Sequence, residues 1–135
     1  MASESILIID DDRNLRQSMA LILRRAGYGV DMAGTAGEAL KDLKYGRYEL
    51  AILDMIMPDD GTILLPRLHR LYPRLPILLL SSQLTPETPF ISLHSRKYAR
   101  LIKPITPEAL LENVKAILSA TPLSEIHHSV SINGE

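Results

Sequence analysis

Three consecutive aspartates, Asp10, Asp11 and Asp12, close an unbroken aliphatic run, and a fourth, Asp54, closes another. Two further runs end in Ser81-Ser82 and in Lys103-Pro104. Each polar group terminates a stretch rich in Ile and Leu, so a scatter of surface charge does not account for them. Carboxylates brought together from neighbouring strands repel one another, and a hard divalent cation with oxygen ligands relieves that repulsion. A carboxylate beside such a cation can attack a phosphoryl donor and form an acyl phosphate. The metal then neutralises oxygens of the transferring group, and a nearby lysine adds fixed positive charge.

That chemistry needs the four run ends on one edge. Five short apolar runs, at 5–9, 29–33, 49–53, 76–80 and 99–102, read as strands. The first, third and fourth are nearly continuous Ile/Leu, the pattern of parallel strands buried on both faces. Helical segments fill the gaps. Residues 12–26 place Leu15, Met19, Ile22 and Ala26 on one face, with Arg16, Gln17, Arg24 and Arg25 mostly elsewhere, and Gly27 as a stop. Residues 35–45 form a shorter helix around Ala39, Leu40 and Leu43, ended by Gly46. Pro66 lies within 62–71, so that helix should start late or bend. Pro86 and Pro89 make a helix over 85–98 short or irregular. The last helix has Thr106 as cap, Pro107 at its first position, Glu108 at the positive end of its dipole, and a stripe of Leu110, Val114 and Ile117 with Leu111 and Leu118.

Strands alternating with helices imply an α/β fold, a doubly wound five-stranded parallel sheet with five helices. The flavodoxin-like order 2-1-3-4-5 suits it, and in that order ligands sit beyond the carboxyl ends of strands 1 and 3. Residues 1–120 are expected to form the domain and 121–135 a tail or linker without periodicity.

Composition narrows the function classes. The chain has 135 residues, 46% hydrophobic and only 4% aromatic, so its core is aliphatic. Lys and Arg number 15 against 16 Asp and Glu, a net charge of -1, which gives no global reason to expect nucleic acid or membrane binding. The absence of cysteine removes disulfides, thiolate zinc sites and thiol catalysis. The N-terminus lacks the basic start of a signal peptide and no apolar run approaches a membrane span, so a cytoplasmic protein is expected.

The ordered set resembles the response-regulator receiver family of two-component phosphorelays. Residues 6–12 look like the family's first strand and acidic pair, residues 54–58 resemble its phosphoacceptor motif, Ser81 stands at its switch Ser/Thr position, and Lys103-Pro104 matches its Lys-Pro. The spacing of 22 positions from Ser81 to Lys103 agrees, and the resemblance spans about residues 5–118. It implies that Asp11 binds Mg2+ directly and Asp10 mainly through water. Asp54 then both ligates the metal and accepts the phosphoryl group, and the backbone carbonyl of Ile56 completes the protein ligands. Lys103 pairs with the phosphate and the Ser81 hydroxyl swings toward it. The implied partners are a histidine kinase or histidine phosphotransfer protein and an unidentified output partner or domain. Readout, or homodimerisation, falls on the face of the fourth helix, fifth strand and fifth helix. Phosphorylation adds about -1.5 to -2 charges, enough to reposition Ser81 and the loop after it.

Departures from the family pattern concern output. The stretch 57–61 is one residue shorter than usual, leaving Asp54 and Ser81 27 positions apart. Arg100 replaces the usual Tyr or Phe three residues before the lysine, and is expected to pair with an acid or a partner; Tyr98 is displaced by two positions. Ile56 and Gln83 stand where the family tunes dephosphorylation, and an apolar Ile56 cannot orient a hydrolytic water, so a persistent phosphoryl group is expected. Asp12 reads as a helix cap rather than a ligand, and Asp59-Asp60 as turn formers before Gly61. Two other functions compete: a pseudo-receiver that keeps the fold without the switch, and a magnesium phosphohydrolase. The latter commonly carries a second Asp two residues after its nucleophile, where this chain has Ile56.

Overall fold

Strands with no polar alternate position must be covered on both sides, and the computed structural model, which describes residues 4–55, 61–82 and 98–119, shows how. β1 (Ser5–Ile9), β2 (Gly29–Ala33), β3 (Leu50–Asp54), β4 (Ile77–Ser81) and β5 (Tyr98–Ile102) form one sheet in the order β2-β1-β3-β4-β5, with every neighbouring pair parallel. This is the expected flavodoxin-like arrangement.

Alternate residues of β1, β3 and β4 feed two separate cores. Leu7, Ile9, Ala51, Leu53, Ile77 and Leu79 meet α2 (Ala36–Tyr45) and α3 (Gly61–Leu71) through Ala39, Leu43, Leu64, Leu65 and Leu68. Ile6, Ile8, Leu50, Ile52, Leu78 and Leu80 meet α1 (Arg13–Arg25) and α4 (Pro107–Ser119) through Met19, Ala20, Leu23, Leu110 and Val114. The central strands are therefore held from both sides, and their carboxyl ends are fixed in place.

The helix termini follow the sequence closely. Asp12 caps α1 as expected, its Oδ1 accepting from the Leu15 amide at 3.2 Å. Thr35 caps α2 and Thr106 caps α4, each hydroxyl accepting at 3.1 Å from the amide three residues on. Gly27 adopts φ 102°, the left-handed conformation that ends α1 and turns the chain into β2.

Some expectations need correction. The buried stripe of α1 centres on Met19, Ala20 and Leu23; Leu15 and Ile22 flank it, whereas Ala26 is the exposed C-cap. α3 starts at Gly61 and runs through Pro66 instead of starting late. A proline in the second turn forfeits one main-chain hydrogen bond, to the Thr62 carbonyl, and the packing of Leu64, Leu65 and Leu68 outweighs that loss. β3 and β4 each lie one residue later than read, taking in Asp54 and Ser81. The helix expected over 85–98 falls outside the described residues except for Tyr98, which opens β5. The tail expected over 121–135 also lies outside them.

Candidate functional site

The strand ends converge as the run ends suggested. Asp54 is the last residue of β3, in register with Leu80, and is 2% exposed. Ser81 ends β4 fully buried. Asp10 and Asp11 follow β1, the first fully buried and the second exposed. Lys103 follows β5, and its Nζ lies 3.3 Å from Asp54 Oδ2. The carboxylates of Asp10, Asp11 and Asp54 each offer an oxygen within 4.8 Å of the others.

Asp10 shows the electrostatic tension of this cluster. Its Oδ1 accepts from the Asp12 amide at 2.9 Å, while the buried Oδ2 has no hydrogen-bond partner among the described residues. Burial pushes its carboxyl up from 3.8 to about 6, and the neighbouring Asp54 charge adds to the rise; the Asp12 amide and Lys103 oppose it. An orphaned buried carboxylate oxygen facing two further carboxylates is a poor arrangement for the protein alone. It is a good one around a small divalent cation, whose preferred ligands are carboxylate oxygens and water. The residues present thus fit a Mg2+ ion.

Residues that the run ends did not point to hold the aspartates in place. Arg16 donates from Nη1 to the Asp10 carbonyl at 2.8 Å, pinning the main chain where β1 ends. The same guanidinium lies against Gly34, where an added Cβ would meet Nη1 at 2.9 Å. The Gly34 amide in turn donates to Glu38 Oε1 at 2.7 Å. The sequence placed Arg16 off the buried face of α1, correctly, but gave no sign of its partner; a glycine directly after β2 was the available clue.

Arg100, expected to pair with an acid or a partner, donates from Nε to the Ser81 hydroxyl at 2.9 Å. The Ser81 carbonyl accepts from the Lys103 amide at 2.8 Å. Ile56, Asp59, Asp60 and Gln83 lie outside the described residues, so the Ile56 carbonyl ligand and the dephosphorylation reading rest on sequence.

Comparison with known proteins agrees with this geometry. The model of the response regulator receiver domain matches residues 6–115, and the chain belongs to that family: it is a receiver domain of the two-component response-regulator type. It is 34% identical over 120 residues to the DNA-binding transcriptional regulator NtrC of Bradyrhizobium sp. (strain RP501 Parasponia), covering 88% of this chain and 25% of that one. It is 34% identical over 114 residues to the transcriptional regulatory protein BasR of Escherichia coli (strain K12), covering 84% and 51%. The chain therefore spans between a quarter and about half of these relatives. Among solved structures, the Vibrio cholerae chemotaxis protein CheY4 superposes with a TM-score of 0.76 at 28% identity, covering 87% of this chain and 100% of that one.

Proposed function

We propose that this receiver takes a phosphoryl group onto Asp54 from a histidine kinase or a histidine phosphotransfer protein. Asp10, Asp11 and Asp54 would hold Mg2+, joined by the Ile56 carbonyl. A single observation carries the reading: a buried aspartate at a strand end has a lysine ammonium 3.3 Å away and two further carboxylates gathered with it. In the transfer, an Asp54 oxygen attacks phosphorus, the phosphorus–nitrogen bond of the phosphohistidine breaks, and the electron pair returns to the imidazole. Mg2+ held by Asp10, Asp11 and Asp54 would supply positive charge to offset that of the transferring group. Lys103 holds Asp54 before transfer and can follow the phosphoryl group afterwards, while Ser81 supplies a hydroxyl donor beside it.

Catalysis is confined to this self-modification. The product is a shifted population of the β5 and α4 face, read by a separate partner or domain, or by a second copy. NtrC and BasR are transcriptional regulators; with a net charge of -1, this domain is read as a control element for an output rather than as a direct nucleic-acid binder. Residues 121–135 serve as tail or linker. Among the described residues no helix is long and apolar enough to cross a membrane, and a kinase-fed phosphorelay belongs in the cytoplasm. The gathered carboxylates and Lys103 argue against the pseudo-receiver reading.

Intact mass after incubation with Mg2+ and acetyl phosphate tests this. One added phosphoryl group that requires both Mg2+ and Asp54, and is lost in Asp54→Asn, is expected. No adduct, together with no binding of beryllium fluoride, would restore the pseudo-receiver.

A further inference from the structure

Ser81 is fully buried, so its hydroxyl must find partners within the protein. Arg100 provides one, and the β4–β5 ladder explains the reach. Arg100 is in register with Leu79, and Ser81 lies two positions further along β4 on the same side of the sheet. A long side chain spans that diagonal. The bond is made by Nε of a half-buried Arg100.

A serine hydroxyl can accept and donate at the same time. With its oxygen accepting from a cation, its proton remains available, and the polarised O–H becomes a stronger donor. We propose that Arg100 is a positioning residue for the phosphorylated state, acting through Ser81: Arg100 Nε–H to Ser81 Oγ, and Ser81 O–H to a phosphoryl oxygen on Asp54, form one relay. The inference rests on Asp54 being the phosphoacceptor. As the Ser81 hydroxyl moves onto the phosphoryl group, the guanidinium follows it.

The test is a double-mutant cycle read by calorimetric affinity for beryllium fluoride with Mg2+, comparing the full chain with Arg100→Ala, Ser81→Ala and the double variant. Loss of a charge-assisted donor one hydroxyl away should weaken binding by on the order of tenfold in Arg100→Ala. In the Ser81→Ala background the same change should matter by less than about twofold. A parallel measurement needs only one variant: the Arg100 Nε–Hε NMR resonance should shift when beryllium fluoride saturates the wild-type chain and stay in place in Ser81→Ala. Wild-type binding that Arg100→Ala leaves unchanged overturns the relay alone. An equal loss in both backgrounds also overturns it, because the charge would then act through space without Ser81. Failure of the wild-type chain to bind beryllium fluoride at all overturns the phosphoacceptor reading, and the relay with it.

Discussion

Replacing Asp10 by asparagine should stabilise the metal-free protein and destabilise the metal-loaded one relative to wild type. Asp10 is fully buried, its Oδ2 has no partner among the described residues, and its carboxyl sits at about 6 instead of 3.8. A raised carboxyl binds protons more tightly folded than unfolded, so stability falls as pH rises from about 4 through about 6 and the penalty is complete above that. The gap between 3.8 and about 6 corresponds to roughly 3 kcal/mol for the ionised form. Asparagine keeps an oxygen for the Asp12 amide, removes the charge, and offers an N–H2 to the neighbouring carboxylates, at the residual cost of a buried amide. A net gain of about 2 kcal/mol, or about 8 °C in Tm for a domain of this size, is expected in EDTA at pH 7.5. At pH 4 the difference should vanish. In millimolar Mg2+ the order should invert, since the ion binds the folded wild type and stabilises it by mass action. Thermal unfolding followed by circular dichroism at both pH values, with and without Mg2+, reads all four conditions. An Asp10→Asn protein no more stable than wild type in EDTA at pH 7.5 would refute the claim that burial of this carboxylate strains the site.

Two further changes probe its supports. Gly34→Ala should displace the Arg16 guanidinium from the Asp10 carbonyl and cost about 1 kcal/mol in urea unfolding, with little further loss when Arg16→Ala is added, because both remove the same hydrogen bond. Lys103→Ala should slow phosphorylation by acetyl phosphate by about 10²–10³-fold in a mass-spectrometric time course while leaving the circular dichroism spectrum unchanged.

The fold was legible because the strands are aliphatic without interruption. Runs such as 6–9 and 77–80 have only one solution in water, burial on both faces, and that in turn dictates crossover helices and a common edge for Asp10, Asp54, Ser81 and Lys103. What escaped the sequence depends on lateral register. That Arg100 meets a hydroxyl follows from its pairing opposite Leu79, which no local pattern encodes. The role of Arg16 depends equally on where β2 delivers Gly34. Pro66 misled because propensity weighs a missing amide and not the three leucines that anchor α3 on either side of it.

The main-chain bond between the Lys103 amide and the Ser81 carbonyl has a consequence for how this molecule can diverge. The two residues that would greet a phosphoryl group are yoked by their peptide groups, independently of side chain and of the intervening sequence. Side-chain substitution at either position can therefore change the chemistry offered there without parting the two main chains.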